Sequence, residues 1–390
     1  MTATLYARIG ELTTNDPTLG DETPMGRVRD AALVVVNGAV AWVGSNNEAP
    51  EADTYVDLDG AAVVPGFVDS HTHLVFAGER SDEFEARMAG ATYDGGGITR
   101  TVTATRAASD ERLRRDAAAR ARAMRDAGTT TLEVKSGYEL TLDGEVRLLE
   151  IAGVITDETT FLGAHVVPDE FARDRDDYVS LVAGAMMDAC APLARWVDVF
   201  CERGAFSVDE ARLVLDAGSR HGLGLRVHGN QLGESGGVAL AVERGAASVD
   251  HCTHVSDGDV AALAGSSTVA TLLPGAEFST RSIYSSARRL LDAGVTVALA
   301  TDCNPGTSYV TSMPFVIALG VREMGMTCDE ALRAATAGGA AALRRTDVGH
   351  LGVGARADLV ILDAPRAAHL AYRPGDQVVA SVRVARAHSS

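Results

Sequence analysis

Lysine is nearly absent from this sequence. Of its 35 lysines and arginines, only Lys135 is a lysine, and the others fit a GC-rich coding bias toward arginine. The two side chains are not interchangeable, because arginine presents a broad planar fork and lysine a compact ammonium. We therefore expect Lys135 to occupy a position that arginine would not serve, in an ion pair with a neighbouring carboxylate.

Long apolar runs and cysteine pairs are missing as well. No segment approaches the roughly 18 uncharged apolar residues that a membrane span requires. The first ten residues lack the basic and then apolar pattern of a secretory signal. The five cysteines show no CxxC spacing. These absences predict a cytoplasmic protein with reduced thiols and no membrane contact.

Positive charge is scarce overall. The net charge of −18 argues against a general binder of nucleic acid or of anionic membranes. The composition, 46% hydrophobic and 23% charged, is that of a globular protein with a sizeable core. A length of 390 residues accommodates one large α/β barrel with an appendage.

Strand-like segments flank a long α/β region. Short β-rich segments broken by turn signals occupy residues 1–60, and the same style returns at 353–390. Between them, residues 61–352 alternate apolar runs with helical patterns, which is typical of a parallel sheet. The eight candidate strands of this region are 63–70, 129–135, 159–165, 196–201, 223–228, 248–251, 268–273 and 296–301. The sequence therefore predicts a (β/α)8 TIM-like barrel with a small β-sandwich domain built from both termini.

Polar residues gather at the predicted ends of the barrel strands. Active sites of such barrels lie at the carboxyl ends of the strands. Five of the ten histidines fall there, and an aspartate follows the last strand: His71, His73, His165, His228, His251 and Asp302. Residues two apart on an extended chain project to the same side, so His71 and His73 can reach one ion. The pattern predicts a metal site.

Several motifs resemble a known enzyme family. The segment Pro65-Gly66-Phe67-Val68-Asp69-Ser70-His71-Thr72-His73 resembles the first-strand motif of the amidohydrolase superfamily. Two further segments are similar to the imidazolonepropionase family within it, namely Glu133-Val134-Lys135-Ser136-Gly137-Tyr138 and Asp302-Cys303-Asn304-Pro305-Gly306. This second resemblance runs through nearly the whole chain.

The resemblance implies a hydrolase with a single zinc or iron ion. Its expected metal ligands are His71, His73, His228 and Asp302. Its expected substrate-contacting residues are Arg80, Tyr93, Tyr138, His165 and Asn304. Asp302 is expected to take the proton of the attacking water, while either His251 or the metal polarises the carbonyl. Gln231 stands where some members carry a catalytic glutamate, and its neutral amide can position substrate or water but cannot act as a general base.

The implied reaction opens a ring by hydrolysis. The expected substrate is 4-imidazolone-5-propanoate, whose cyclic amide is cleaved by a metal-activated water to give N-formimidoyl-L-glutamate in histidine degradation. The resemblance also implies a homodimer. Lys135 could instead be a carboxylated lysine that bridges two metals, but superfamily members with such a bridge carry it on strand 4, whereas Lys135 ends strand 2.

Two other functions are open. Another single-metal amidohydrolase, such as a deaminase of a heterocyclic base, would share the metal ligands without requiring a carboxylate-binding arginine. Activity on uncharged purines or pyrimidines would favour it. A non-catalytic binding protein on the same barrel is the remote alternative, and a purified protein unable to bind any metal would favour that one.

Overall fold

The computed structural model describes residues 2–90 and 97–385. The chain divides into two compact units, one drawn from residues 1–69, 123–131 and 312–390 and the other from residues 70–122 and 132–311. The strands are β1 Ala3–Thr13, β2 Arg27–Val36, β3 Ala39–Ser45, β4 Thr54–Asp57, β5 Val63–Pro65, β6 Phe67–Asp69, β7 Thr129–Lys135, β8 Glu158–Ala164, β9 Trp196–Cys201, β10 Gly224–Gly229, β11 Ser248–His251, β12 Val269–Leu272, β13 Val297–Leu299, β14 Leu359–Leu362 and β15 Val379–Arg383.

Helices follow most of the strands after β6. They are α1 Ser81–Met88, α2 Ile98–Ala107, α3 Asp110–Asp126, α4 Leu142–Gly153, α5 Arg175–Leu181, α6 Met187–Cys190, α7 Val208–Arg220, α8 Gly237–Glu243, α9 Asp257–Ala264, α10 Pro274–Thr280, α11 Ala287–Asp292, α12 Met313–Glu323, α13 Cys328–Arg333, α14 Gly339–Ala342 and α15 His369–Tyr372. Within 2–90 and 97–385, none of the helices has the length and apolar character of a membrane span.

A mixed sheet joins the two ends of the chain. Its strand order is β15-β14-β5-β1-β2-β3, and β4 pairs with β1 in parallel. Side chains of one face meet in an apolar core that includes Ile9, Leu12, Leu33 and Leu359. The predicted β structure built from both termini is therefore confirmed. Its longest strand, β1, has 11 residues and exceeds the short segments predicted for residues 1–60.

The second sheet has eight strands in the order β13-β12-β11-β10-β9-β8-β7-β6. Neighbouring strands from β7 to β13 pair in parallel, so the carboxyl ends of these strands lie on one side. Hydrogen bonds just beyond the strand ends bring the two edges together. The amide of Asp302 donates to the carbonyl of His71 (3.0 Å), and the amide of His73 donates to that of Cys303 (3.1 Å). The predicted eight-stranded barrel is confirmed.

The first predicted barrel strand is divided at Gly66. Residues 63–70 were expected to form one strand, but Val63–Pro65 pairs with β14 in the mixed sheet, whereas Phe67–Asp69 belongs to the barrel. The amide of Gly66 donates to the carbonyl of Asp358 (2.8 Å), and that of Phe67 donates to Gly128 (3.0 Å). A Cβ on Gly66 would lie 2.1 Å from Thr130 Oγ1, so only glycine fits this crossing.

Local signals place the helix starts well. The Ser207 hydroxyl accepts from the Glu210 amide at the start of α7, and the Glu210 carboxylate accepts from the Ser207 amide, which completes a capping box. Helix α7 buries one apolar stripe that includes Val214 and Leu215. Gly128, two residues after the end of α3, has a φ of +104° that favours glycine.

Candidate metal centre and active site

Three histidine side chains meet at the carboxyl end of the barrel. His71 and His73 follow β6, and His228 lies near the end of β10. The Nε2 atoms of His71 and His73 are 3.3 Å apart, and those of His73 and His228 are 3.4 Å apart. All three rings are buried. Their nitrogens therefore face one common point.

Asp302 completes this group. Its Oδ1 lies 3.5 Å from Nε2 of both His71 and His73. Atoms at the corners of a tetrahedron about 2.0–2.1 Å from a central zinc ion are about 3.3–3.4 Å apart. The observed separations of the nitrogen and oxygen atoms match that edge length. The donor set therefore fits one metal ion of this size.

His251 stands beside the same point. Its ring centroid is 5.5 Å from that of His228 and 5.8 Å from that of His71. The backbone of His251 has a φ of +81°, and that of Asp302 a φ of +51°. These left-handed conformations are unfavourable for side chains other than glycine and collect at functional sites. The barrel thus holds both residues in backbone conformations that cost stability.

Burial determines the charge states of these residues. It lowers the pKa values of His71, His73 and His251 well below their ordinary range, and nearby positive charge, including that of Lys135, lowers them further. Burial also raises the pKa of Asp302 well above its usual value. A neutral imidazole is the form in which histidine binds a metal ion. The neutral imidazoles can therefore bind a cation, and burial makes a negative charge on Asp302 unfavourable unless a cation lies beside it.

Buried carboxylates orient two of the histidines from behind. Nδ1 of His71 is 2.7 Å from Asp250 Oδ2, and Nδ1 of His228 is 3.0 Å from Asp198 Oδ2. A carboxylate at Nδ1 leaves Nε2 free to face a metal ion and makes it a better donor. Neither carboxylate was predicted from the sequence, although Asp198 is an acidic residue inside the otherwise apolar strand β9 and Asp250 directly precedes His251 in β11.

Lys135 forms the predicted ion pair. Its side chain is fully buried, and Nζ lies 2.8 Å from Glu133 Oε1 and 2.9 Å from Asp198 Oδ2. Burial opposes the ionisation of Asp198, but His228 and Lys135 lower the pKa of that carboxyl well below its usual value. The only lysine of the chain therefore lies in a buried ion pair beneath the histidines.

A pocket opens above the histidines. The predicted residues Arg80, Tyr138, His165, Gln231 and Asn304 all line it, together with His251 and Asp302. Tyr93 lies outside the described residues. Three lining residues, Ile98, Phe200 and Thr307, were not predicted from the sequence. Phe200 near the end of β9 and Thr307 in the loop after β13 could have been found from their positions, since both lie at the carboxyl end of a strand.

The aromatic wall of the pocket is fixed by hydrogen bonds and ring contacts. Nδ1 of His165 is 2.9 Å from the carbonyl of Gly137, and the Tyr138 and His165 ring centroids are 5.3 Å apart. Burial lowers the pKa of His165 to about 4, so this ring is neutral near pH 7. The wall therefore offers a neutral imidazole and a phenol.

The loop after β13 is organised by Asn304. Its Nδ2 donates to the carbonyl of Asp302 (2.7 Å) and to Thr307 Oγ1 (2.8 Å). Its Oδ1 accepts from the amides of Gly306 and Thr307, each at 2.8 Å. Both polar atoms of the Asn304 amide are thus engaged within the loop that carries Asp302.

Arg80 is the buried cation of the pocket. Its Nε and Nη2 donate to the carboxylate of Glu83, at 2.9 and 2.6 Å. A Cβ on Gly306 would lie 2.2 Å from Nη1, and one on Gly97 would lie 2.0 Å from Nη2. One edge of the guanidinium is therefore held by Glu83, and Nη1 lies beside Gly306.

Comparison with known proteins gives consistent relatives. The model of the amidohydrolase family matches residues 62–385. A protein named imidazolonepropionase from Mycolicibacterium smegmatis is 64% identical over 382 residues, which cover 98% of this chain and 96% of that protein. An imidazolonepropionase from Salinispora tropica is 63% identical over 385 residues, which cover 98% of this chain and 97% of that protein.

Solved structures share the fold at low identity. N-isopropylammelide isopropylaminohydrolase from Burkholderia multivorans superposes with a TM-score of 0.73 at 22% identity, and covers 99% of this chain and 97% of its own. A mutant of atrazine chlorohydrolase from Arthrobacter aurescens, complexed with zinc and atraton, gives a TM-score of 0.67 at 17% identity, with 98% and 94% covered. These likenesses show that the architecture is common to hydrolases of different substrates.

Proposed function

The chain belongs to the amidohydrolase family and, within it, to the imidazolonepropionases, and from this premise we propose how its residues carry out the reaction. The enzyme hydrolyses the cyclic amide of 4-imidazolone-5-propanoate to N-formimidoyl-L-glutamate, a step of histidine degradation. The alternative of a base deaminase is not favoured by these relatives. The observation that carries the residue assignments is the convergence of four donor atoms beside a pocket that contains Arg80.

We propose that His71, His73, His228 and Asp302 bind one zinc or iron ion. Family membership and the buried cluster of histidine and aspartate support a metal cofactor. Three imidazoles and one carboxylate suit both metals. A metal ion bound there would activate a water molecule for attack on a carbonyl carbon.

Asp302 would transfer protons, and His251 would stabilise the negative charge that develops during the reaction. Asp302 would accept a proton from the attacking water and deliver it to the ring nitrogen as the C–N bond breaks. His251 would donate a hydrogen bond from its neutral ring to the oxygen of the ring carbonyl, where negative charge develops. Gln231 would position the substrate or the water, since an amide cannot take up the proton.

Arg80 would bind the propanoate group of the substrate. Glu83 already occupies the Nε side of the guanidinium, so we expect the substrate carboxylate to approach Nη1. Tyr138 and His165 line the same pocket and could donate to the propanoate or to the ring, and Tyr93 keeps its predicted role in this proposal. Asn304 would contact the substrate from the loop after β13, which its side chain organises.

Metal removal is expected to abolish turnover. Dialysis against a chelator should remove the ion that activates water, and re-addition of Zn²⁺ or Fe²⁺ should restore activity. The measurement is the loss of imidazolone absorbance with freshly generated substrate, corrected for spontaneous decay, together with elemental analysis of the protein as purified. Full activity in a metal-free sample would contradict the proposed cofactor.

Arg80→Ala is expected to weaken substrate binding more than turnover. Loss of a charge-assisted contact costs about 1.5–3 kcal/mol, which corresponds to a rise in KM of roughly 10- to 100-fold. Steady-state kinetics would show this rise, and Arg100→Ala is a control at an exposed arginine that also pairs with Glu83. If KM stayed the same in the Arg80 variant, the propanoate would bind elsewhere.

Several broader assignments belong to the same proposal. We propose a cytoplasmic homodimer that binds neither nucleic acid nor membranes, and the acidic net charge of −18 supports the last two points. The cysteines are free thiols in the structure, which agrees with a reducing compartment. We also propose that the hydrolase domain spans residues 61–352, with residues 1–60 and 353–390 forming the small β domain.

A further inference from the structure

Three buried carboxylates lie behind the histidines, on the alternate strands β7, β9 and β11. Glu133 Oε2 accepts from the amide of Thr72 (3.0 Å), the residue between His71 and His73. Asp198 Oδ2 lies 3.0 Å from His228 Nδ1, and Asp250 Oδ2 lies 2.7 Å from His71 Nδ1. All three carboxylates are buried. Each one therefore lies against a different part of the histidine cluster.

Lys135 lies at the centre of these three carboxylates. Its Nζ is 2.8 Å from Glu133 Oε1, 2.9 Å from Asp198 Oδ2 and 4.0 Å from Asp250 Oδ2. Three buried negative charges without a cation would be strongly destabilising, because desolvation and mutual repulsion add. The ammonium thus offsets the charges of Glu133 and Asp198, and it shares the charge of Asp250 with the buried Arg226.

The chemistry of this position explains why lysine is used. The ammonium is a compact charge with three donors that can point to separate strands, whereas a guanidinium is a planar fork. Arginine already fills the neighbouring space, since Arg226 Nη2 donates to Asp250 Oδ2 (3.1 Å) and to the carbonyl of Ser70 (2.7 Å). Every other basic residue of the chain is arginine, so Lys135 is the exception where the structure requires a point charge.

We propose that Lys135 is a positioning residue for the metal centre. Through Glu133, Asp198 and Asp250 it keeps the Thr72 amide and the Nδ1 atoms of His228 and His71 in place, so that their Nε2 atoms face a common point. The inference rests on the metal site proposed above. It assigns to this lysine a contribution to metal affinity, and not only to the stability of the barrel.

The test compares Lys135→Met with Glu158→Gln. Methionine keeps the length of the side chain and removes its charge. Glu158 is a buried carboxylate that accepts from Trp196 Nε1 (2.9 Å) at the first residue of β8, the end of the strand far from the pocket. Both variants should lose stability in thermal unfolding of the metal-free protein. The readout that separates them is the dissociation constant for Zn²⁺, measured by competition with a chromophoric chelator.

Lys135→Met is expected to raise the Zn²⁺ dissociation constant about 10- to 100-fold, the range found when groups that orient metal ligands are removed. Glu158→Gln should leave it within about twofold. A folded Lys135→Met protein that binds Zn²⁺ as tightly as the parent would overturn the proposal. If the parent itself bound no Zn²⁺, the metal site of the proposed function would fail instead, so the two failures are distinguishable.

A second measurement needs no variant and applies if Lys135→Met does not fold. Parent protein prepared with [ζ-15N]lysine gives one side-chain resonance, because the chain has one lysine. If Lys135 acts on the histidines through the carboxylates, Zn²⁺ binding should move this resonance relative to the metal-free protein. An unchanged resonance in the Zn²⁺-loaded protein would refute the positioning role.

Discussion

Asp302→Asn is expected to lower kcat by at least about 10³-fold while the protein stays folded. Positioned proton transfer contributes roughly 10²–10⁴ to a rate, and the substitution also weakens the donor set, because an amide oxygen carries no charge. The carboxyl is buried with its Oδ1 3.5 Å from two histidine nitrogens, so an asparagine of the same shape fits the same space. The loss should therefore fall on chemistry rather than on the barrel.

The experiment must separate proton transfer from metal loss. Turnover of the variant is measured at saturating Zn²⁺ or Fe²⁺, with bound metal determined in the same sample and circular dichroism as the check on folding. Asp257→Asn is the matched control, since Asp257 is exposed and pairs with Arg289. It should keep activity within about twofold. Turnover near that of the parent in metal-loaded Asp302→Asn would remove Asp302 from the proton-transfer role.

Glu277→Gln is expected to stabilise the protein at pH 8 by about 2–3 kcal/mol and to have little effect near pH 4.5. Glu277 lies in α10 and is buried, and its Oε1 accepts from Thr253 Oγ1 (2.7 Å). Within the described part of the chain, its Oε2 has no hydrogen-bond partner. Burial raises the pKa of this carboxyl to about 7. The folded state therefore keeps a proton that the unfolded chain releases near pH 4.5.

The direction of the pH effect follows from this difference in bound protons. Between about pH 4.5 and 7 the folded state binds more protons than the unfolded state, so the free energy of unfolding falls as the pH rises, by about 3 kcal/mol in all. A glutamine does not titrate, so the variant lacks this loss. Urea unfolding of both proteins at pH 5 and pH 8 measures the change in the free energy of unfolding between the two pH values. The variant Glu150→Gln, at an exposed position, is the control. Parallel pH profiles for parent and variant would contradict the prediction.

The sequence was sufficient to predict the barrel and to single out the histidines of the cluster. His71, His73, His228 and His251 each end or follow an apolar strand, and parallel strands bring their carboxyl ends together whatever the details of their packing. The same logic found Asp302 and Lys135. This prediction required only the positions of the strands along the chain, and each strand can be recognised from a short stretch of sequence.

The partners across strands could not be predicted in the same way. Asp198 is visible as an acidic residue in an apolar strand and Asp250 as the neighbour of His251, but their pairing with His228 and His71 depends on the register between strands and on the curvature of the barrel. The contact between Arg80 and Glu83 likewise depends on where α1 begins. The division of the first strand had a local signal in Pro65-Gly66, since a proline followed by a glycine interrupts a strand.

Because Lys135 is buried, its reaction with an amine-reactive reagent can be used to measure unfolding. An amine-reactive dye modifies a lysine only when water and reagent can reach it, and this side chain is 0% exposed in the folded chain. Dye attached at this position, read from the mass of the peptide that contains it, would therefore count molecules that have opened. Because the chain has no other lysine, the side chain of Lys135 reports unfolding without any engineered label.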